Sequence, residues 1–181
     1  SDLIICMSGG LSAAIGMSTK TDQKIIALIG DSTFLHTGMS PLAEAANYDS
    51  NVLLFIFENS WTAMTGHQPV LGLTDRKLSI EKICRAIGVQ WLHVEDSYHP
   101  KHLTSTIEKA LNTKGLKVII IRRECALQAH RWRNKKIREL EEKGEKVQEI
   151  TYFISGCQMC YECARILSCP AIRRIELYGY E

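Results

Sequence analysis

Two polar side chains, Asp31 and Asn59, each follow a short apolar run and could together hold a divalent cation. A carboxylate and a neutral amide oxygen suit a hard cation such as Mg²⁺, which takes few protein oxygens and shares its remaining positions with phosphate and water. Gly30 lets the backbone approach a phosphate closely, and the amides of Asp31 and Ser32 can point at the anion. The pattern therefore predicts a metal-bridged diphosphate site. Asp31 and Asn59 are equally compatible with simple turn and cap positions after strands.

A second group of chemically active side chains lies near the end of the sequence, at Cys157, Cys160, Cys163 and Cys169. The spacing C-x2-C-x2-C followed by Cys-Pro is the iron-sulfur pattern of bacterial ferredoxins, and it predicts a 4Fe-4S cluster. Structural zinc, the alternative, usually pairs two Cys knuckles across a longer spacer. The chain has seven cysteines, and an odd count with one tight cluster favours a metal centre over a disulfide framework. We therefore expect a reducing compartment, and a cytoplasmic protein.

Two histidines are candidates for proton transfer. His67 lies within the polar segment Met-Thr-Gly-His-Gln, and loops at the ligand-binding edge of a sheet often carry chemistry. His36 lies four residues after Ser32, where its ring could hydrogen-bond a diphosphate oxygen, act on a substrate or simply cap the local structure. Three further histidines lack a ligand spacing on one helix face and are expected to be ordinary surface residues: His93, His99 and His102.

The elements that must position Asp31 and Asn59 form a strand-helix-strand unit. Residues 25–29 and 52–57 are apolar runs of buried-strand length, and residues 39–46 repeat apolar positions at helical spacing. Two buried parallel strands joined by a helix end on the same edge of their sheet, so Asp31 and Asn59 should meet there although 28 positions separate them. This carboxyl edge is where ligands bind in open α/β folds.

The remaining chain continues the alternation of helices and strands. Helical spacing is present over residues 78–87 and 100–112, and strand patterns cover residues 89–94 and 118–121. Residues 7–19 carry small side chains at near-helical spacing, which would let a helix approach a sheet or a cofactor closely. Because strands and helices alternate four times, we predict an α/β fold with a doubly wound, mostly parallel sheet.

The composition is that of an ordinary soluble globular chain. Among 181 residues, 45% are hydrophobic and 23% are charged, and the formal net charge is +2, which indicates no polyanionic partner. No apolar run reaches 18 residues, so no membrane span is expected. Residues 131–146 are densely charged, but their acids cancel the neighbouring bases. We interpret this segment as a solvated helical linker and not as a nucleic-acid surface.

The residues around the predicted diphosphate site resemble a known cofactor motif. Gly30-Asp31-Ser32 followed by Glu58-Asn59 is similar to the motif of thiamine diphosphate enzymes, which opens on Gly-Asp and closes on Asn. The continuation Thr-Ala-Met-Thr-Gly-His-Gln-Pro over residues 62–69 resembles the 2-oxoacid:ferredoxin oxidoreductases, most closely the alpha subunits of the indolepyruvate:ferredoxin oxidoreductases. The resemblance covers nearly the whole chain and implies a C-terminal fragment of such a subunit.

That resemblance assigns roles to individual positions. It implies that Asp31, Asn59 and the backbone carbonyl of Trp61 bind Mg²⁺, and that four residues surround the diphosphate: Gly30, Ser32, Met64 and Thr65. Glu58 and Trp61 depart from the family's usual residues, although neither departure removes a liganding side chain. In the tail, the resemblance implies that Cys157, Cys160 and Cys163 bind one 4Fe-4S cluster. It implies that Cys169 binds a neighbouring cluster.

The resemblance also implies a domain organisation and a reaction. Residues 1–128 would form a thiamine diphosphate-binding domain that is incomplete at its N-terminus, residues 129–148 a charged linker, and residues 149–181 a partial ferredoxin-like module. The implied reaction is oxidative decarboxylation of an aryl 2-oxoacid, indole-3-pyruvate, to acyl-CoA and CO2, with electrons passing through iron-sulfur clusters to ferredoxin. Coenzyme A, ferredoxin, a beta subunit and a pyrimidine-binding domain are the implied partners. Because that last domain supplies the activating glutamate, the isolated chain is expected to be inactive.

Two other functions fit parts of this sequence. A non-oxidative thiamine diphosphate 2-oxoacid decarboxylase half-subunit would use the first domain but needs no iron-sulfur tail. A non-catalytic iron-sulfur electron-transfer subunit would keep the fold without binding thiamine diphosphate.

Overall fold

A computed structural model describes residues 3–70, 72–75 and 77–145. The chain divides into two compact units, 1–139 and 140–181, and the sheet and the candidate site lie in the first. In chain order the elements are α1 (Gly9–Ser18), β1 (Ile25–Gly30), α2 (Asp31–Thr33), a π-helical turn (Phe34–Gly38), α3 (Met39–Asn47), β2 (Val52–Glu58), β3 (Trp61–Thr62), a 3-10 turn (Ala63–Thr65), β4 (Gln68–Pro69), α4 (Ile80–Ile87), β5 (Trp91–Glu95), α5 (Pro100–Asn112), β6 (Lys117–Arg122) and α6 (Ala126–Glu142).

Four parallel strands form the main sheet, in the order β1-β2-β6-β5. Helices cover both faces of this sheet. On one face α1, α3 and α4 pack against alternate strand residues such as Leu54 and Ile120, and on the other face α5 packs against Leu53, Phe55 and Ile119. Burial on both faces explains why β2 is a continuous apolar run and does not alternate with polar residues. The predicted doubly wound, mostly parallel architecture is confirmed.

The helix after β1 begins earlier than the sequence pattern indicated. It starts at Asp31 and passes through the π-helical turn before α3, whereas the periodicity predicted a helix only over residues 39–46. The wide turn brings Gly38 against the sheet, where a Cβ atom would lie 2.8 Å from Cδ1 of Ile29 and 3.1 Å from Cδ2 of Phe34. A glycine therefore allows the helix to start at the strand end, so that Asp31 stands at its first turn.

The other predicted elements are present with small shifts of their ends. The helix over residues 100–112 is α5, and the patterns at 78–87, 89–94 and 118–121 correspond to α4, β5 and β6. Helix α6 covers most of the charged segment. Within the part of the chain that the structure describes, no helix combines the length and the apolar character needed to cross a membrane. The predicted ferredoxin-like module, residues 149–181, lies outside the described residues, and the domain boundaries stay a prediction.

A short antiparallel hairpin follows β2 and stands beside the sheet's carboxyl edge. Strand β3 pairs with β4, with Trp61 opposite Pro69 and Thr62 opposite Gln68. Gly66 turns the chain at the tip with φ 117°, a left-handed conformation that glycine adopts without strain. Two further left-handed residues, Ser60 and His67, lie at the base and the tip of the same hairpin. This hairpin carries the segment that follows Asn59.

Candidate functional site

The carboxyl ends of β1 and β2 bring Asp31 and Asn59 together. The two strands pair in register, with Gly30 opposite Phe57, so the residues that follow them are neighbours at the edge of the sheet. The Oδ2 atom of Asp31 accepts hydrogen bonds from the backbone amide of Asn59 at 2.9 Å and from that of Ser60 at 2.6 Å. The strand-helix-strand connectivity thus places both predicted ligands at one point. Their role in binding a metal stays a prediction.

Asp31 is a buried carboxylate without a cationic side chain beside it. Its side chain is held under the loop that follows β2, and the residue is 3% exposed. Burial raises the pKa of Asp31 above its ordinary value, three backbone amides oppose that rise, and the charge of Glu58 adds a smaller increase. Among the described residues, no lysine, arginine or histidine forms an ion pair with this carboxylate. A buried negative charge that only amides compensate is a suitable partner for a metal cation.

The hydrogen bonds also distinguish the two oxygens of Asp31. Oδ2 accepts two amide hydrogen bonds, whereas Oδ1 accepts one, from the backbone amide of Ser32 at 2.7 Å. A carboxylate oxygen has about two lone pairs available for hydrogen bonds or metal ligation. Oδ2 is therefore saturated, and Oδ1 is the oxygen that keeps capacity for a cation.

Asn59 and Trp61 contribute two further oxygens of the kind that Mg²⁺ prefers. The side-chain Oδ1 of Asn59 accepts one hydrogen bond, from the amide of Trp61 at 2.8 Å. The amide of Val70 donates to the carbonyl of Ser60 at 3.0 Å, so the next pair of the hairpin, Trp61 opposite Pro69, is not hydrogen-bonded. The register partner of Trp61 is a proline without an N–H, so it does not engage the carbonyl of Trp61. The donor set fits a hard cation.

This donor set differs from a site built only of ionisable side chains. Among the described residues, no cluster of three or more His, Cys, Asp or Glu side chains could hold a metal ion. A cation here would rely on one carboxylate, one amide oxygen and one backbone carbonyl, and on oxygens from a ligand or water. Mg²⁺ commonly binds proteins in this way, with phosphate completing its shell.

The remaining predicted cofactor residues lie on two segments, the start of α2 and the hairpin. Ser32 follows Asp31 in α2, and the hydroxyl of Thr62 donates to the Ser32 hydroxyl at 3.3 Å, which joins the helix start to the hairpin. Met64 and Thr65 lie in the 3-10 turn at the hairpin tip. The Met64 side chain is fully exposed, and Thr65 exchanges hydrogen bonds with Gln68. In the described part of the chain neither contacts Asp31 by a hydrogen bond.

The two candidate histidines differ in their surroundings. His67 has φ 60°, and its amide donates to the carbonyl of Thr62 at 3.1 Å. The ring Nε2 of His67 is shielded from solvent and has no hydrogen-bond partner among the described residues. His36 is exposed on the π-helical turn. The histidines predicted to be surface residues are exposed: His93, His99 and His102.

The sequence interpretation missed two residues that hold the site in place. Ser60 donates its amide to Asp31 from a left-handed backbone with φ 64°, which no sequence pattern indicates. Arg122 forms a two-pronged ion pair with Glu58, with Nε to Oε1 at 3.0 Å and Nη2 to Oε2 at 3.1 Å. Glu58 and Arg122 are register partners on β2 and β6, so a charge partner for the unusual Glu58 could have been sought at the end of the neighbouring strand.

The cysteines of the described residues do not form a site. Cys6 is exposed, Cys125 is partly buried, and Cys84 is fully buried in α4, where burial raises the pKa of its thiol to about 12. A thiol with so high a pKa is inert at neutral pH. The predicted cluster ligands Cys157, Cys160, Cys163 and Cys169 lie outside the described residues.

The chain is similar to known proteins in sequence and in fold. Residues 1–121 match the family model of the thiamine pyrophosphate enzyme, C-terminal TPP binding domain. The chain is 35% identical over 178 residues to the indolepyruvate oxidoreductase subunit IorA of Archaeoglobus fulgidus, which covers 94% of this chain and 27% of that protein. It is 36% identical over 176 residues to the subunit of the same name from Pyrococcus horikoshii, covering 94% of this chain and 26% of the relative. The chain thus spans about a quarter of the length of these relatives.

A solved structure shares the fold at lower identity. The thiamine diphosphate-dependent 4-hydroxybenzoylformate decarboxylase of Rhodococcus jostii RHA1 superimposes with a TM-score of 0.51 and 22% sequence identity, covering 65% of this chain and 23% of that enzyme. At this identity the likeness concerns the fold alone.

Proposed function

The chain belongs to the thiamine pyrophosphate enzymes, whose C-terminal TPP-binding domain it matches, and we propose that it binds the Mg²⁺ and diphosphate of thiamine diphosphate at the carboxyl edge of its sheet. The observation that carries this proposal is Asp31. Its carboxylate is buried, three backbone amides orient it, and no cationic side chain of the described residues neutralises it. The three amide hydrogen bonds would also suit a structural cap, but a buried full negative charge is costly without a positive charge, and a bound cation would supply that charge.

Each part of the proposed site has a separate task. Oδ1 of Asp31, Oδ1 of Asn59 and the carbonyl of Trp61 would hold Mg²⁺, and the cation would fix the diphosphate. Gly30 keeps the strand end open for the anion, because no atom lies within 4 Å of the position that a Cβ would occupy. The hydroxyl of Ser32, already joined to Thr62, would face the diphosphate, with Met64 and Thr65 on the hairpin beside it. When bound, thiamine diphosphate supplies the nucleophilic carbon and the electron sink that decarboxylation of a 2-oxoacid requires.

We propose that His67 transfers protons at the carboxyl edge of the sheet. Its Nε2 atom is shielded from solvent and has no hydrogen-bond partner among the described residues, so a substrate would engage it only after the hairpin shifts. We also propose a role for His36 in the same chemistry, by contact with a ligand that lies beyond the helix start. Both roles rest on position in the fold and on the chemistry of imidazole.

We further propose that the whole protein is the alpha subunit of an oxidoreductase that converts an aryl 2-oxoacid, indole-3-pyruvate, to acyl-CoA and CO2. Electrons would leave through a 4Fe-4S cluster held by Cys157, Cys160 and Cys163, with Cys169 serving a neighbouring cluster, and would pass to ferredoxin. Coenzyme A, a beta subunit and a pyrimidine-binding domain complete the proposed assembly. The names of the relatives and the ferredoxin-like cysteine spacing support this proposal.

The decisive test is Mg²⁺-dependent binding of thiamine diphosphate, measured by calorimetry on the full-length subunit together with its pyrimidine-binding domain, as wild type and as Asp31→Ala. Loss of a buried charged ligand should weaken binding by about 3 kcal/mol, roughly a 100-fold rise in Kd. Asp96→Ala is the matched control, because Asp96 is an acid at the same sheet edge that is already paired with Arg123 at 2.9 Å, and its removal should leave Kd within about threefold.

Two outcomes of this test would contradict the proposal. A full-length wild-type subunit that shows no Mg²⁺-dependent binding would exclude a thiamine diphosphate site, and equal effects of Asp31→Ala and Asp96→Ala would exclude Asp31 as a ligand. Iron and acid-labile sulfide content after anaerobic reconstitution, with a Cys160→Ser control, addresses the tail separately. A chain that binds thiamine diphosphate but no iron would favour the non-oxidative decarboxylase.

A further inference from the structure

Ser60 occupies an unusual backbone conformation at the centre of the site. Its φ of 64° lies in the left-handed region, which costs an L-residue other than glycine, asparagine or aspartate appreciable free energy. Within the described part of the chain, the Ser60 hydroxyl forms no hydrogen bond, whereas its amide and carbonyl are both engaged. The residue therefore acts through its backbone, and its strain is maintained by contacts on both sides.

Those contacts join Asp31 to the hairpin. The Ser60 amide donates to Oδ2 of Asp31 at 2.6 Å, the shorter of the two bonds to that oxygen. The Ser60 carbonyl accepts the amide of Val70 at 3.0 Å and the hydroxyl of Thr74 at 3.2 Å. With the Ser60 carbonyl held by Val70 and Thr74, a right-handed or extended backbone at Ser60 would rotate the preceding peptide plane, which carries the amide, away from Asp31. Oδ2 would then lose one of its two donors.

We propose that Ser60 is the positioning residue of the cation site, and that its left-handed backbone decides which carboxylate oxygen of Asp31 faces the metal. With Oδ2 saturated by two amides, the carboxylate has one rotational setting, and Oδ1 is presented to the cation. Without the Ser60 amide, Oδ2 regains capacity for a ligand and the carboxylate can rotate. This inference rests on the proposed function, because it concerns the same cation, but it makes a different claim about which group controls affinity.

The test is a series of substitutions at Ser60 in the full-length subunit together with its pyrimidine-binding domain. The binding of Mn²⁺ with thiamine diphosphate is measured by electron paramagnetic resonance of the Mn²⁺. Ser60→Gly, which adopts φ 64° freely, should bind as tightly as the wild type or up to a few times more tightly. Ser60→Ala should stay within about threefold, because only the hydroxyl is lost. Ser60→Val strongly disfavours the left-handed backbone, so the free loop should relax and Kd should rise about tenfold, equivalent to about 1.4 kcal/mol.

The order of affinities separates a backbone role from a side-chain role. If Ser60→Gly and Ser60→Ala both bind about tenfold more weakly or worse, the hydroxyl itself binds the ligand and the inference is overturned. This comparison remains valid even where Ser60→Val fails to fold. If a folded Ser60→Val binds as tightly as the wild type, the inference is also overturned, while the proposed function stands. If the wild type takes up no Mn²⁺ with thiamine diphosphate, the proposed function fails and the cation role of Ser60 fails with it.

A second readout does not depend on the cation. The amide proton of Ser60 donates a short bond to a carboxylate, so its NMR resonance should lie well downfield in the free chain and move upfield in Asp31→Ala. The same resonance should remain downfield in Ser60→Gly. An unshifted amide signal in Asp31→Ala would contradict the contact on which the inference rests.

Discussion

The two halves of the sheet's carboxyl edge hold their acidic side chains in opposite ways. At the end of β1, Asp31 is buried, bonded only to backbone amides, and its pKa is raised chiefly by burial. At the end of β5, Asp96 is partly exposed, and its pKa is lowered, first by the backbone amide of Tyr98 and also by Arg123. Arg123 contacts Asp96 at 2.9 Å and lies 3.7 Å from the centre of the Tyr98 ring. The acid at β5 has its counter-charge, whereas no described side chain supplies one to the acid at β1.

This difference supports the proposed position of the cation site, at the half of the edge that contains Asp31. A buried carboxylate without a counter-charge is an electrostatic cost that the fold tolerates only where something else compensates it. Amides at Asp31 supply orientation and partial charge but no full positive charge. A cation would complete the compensation at β1, whereas at β5 the arginine already does so. Acidic residues at a sheet edge are therefore not equivalent candidates, and burial without pairing is the feature that separates them.

The largest expected effect on stability concerns the boundary between the two halves, where Arg122 pairs with Glu58. The Glu58 side chain is only 10% exposed, so Arg122→Leu would leave a mostly buried carboxylate without its cation. Because the Arg122 side chain is 44% exposed, solvent reduces the loss, and we expect about 2 to 3 kcal/mol in the free energy of unfolding. Urea denaturation measures this loss.

The matched control for that change is Arg123→Leu, one residue further along the same strand end. Both partners of its pair with Asp96 are more exposed than Glu58, so the cost should stay below about 1 kcal/mol. Equal losses of stability in the two variants would mean that burial of Glu58 does not make its ion pair more important than the exposed pair of Arg123 with Asp96.

A smaller effect is expected from two threonine hydroxyls, one in each half. Thr106 is buried and donates to the Glu95 carboxylate at 2.6 Å, whereas the Thr62 hydroxyl donates to the neutral Ser32 hydroxyl at 3.3 Å. Bonds to charged acceptors contribute more than bonds between neutral groups, so Thr106→Val should cost about 1 to 2 kcal/mol and Thr62→Val about 0.5 kcal/mol. Chemical denaturation of both variants gives the two values. A larger loss in Thr62→Val would mean that the hairpin contact stabilises the fold more than the distances indicate.

The sequence predicted the architecture and the meeting of Asp31 with Asn59 for one reason, which is that connectivity fixes where parallel strands end. Apolar runs and helical spacing give the order of elements, and right-handed parallel connections then bring the strand ends to one edge. The details that orient the ligands were not predictable in this way. The π-helical turn at Gly38 depends on close packing against Ile29, and the conformation of Ser60 depends on contacts with residues on both sides of it. Both are tertiary effects without a local sequence signature.

The subtlest expected effect is an opposite pH dependence of the two acids in the metal-free chain. The folded pKa of Asp31 is raised above the ordinary aspartate value of 3.8, so on raising the pH the unfolded chain releases this proton first. The wild type then loses stability relative to Asp31→Asn until the folded pKa is passed. The folded pKa of Asp96 is lowered below 3.8, so the wild type gains stability relative to Asp96→Asn as the pH rises through the interval below that value. Urea denaturation of all three chains between pH 3 and 7, with the differences plotted against pH, should give slopes of opposite sign. Slopes of the same sign would mean that Asp31 has a counter-charge in solution, and the argument that this half of the edge requires a cation would fail.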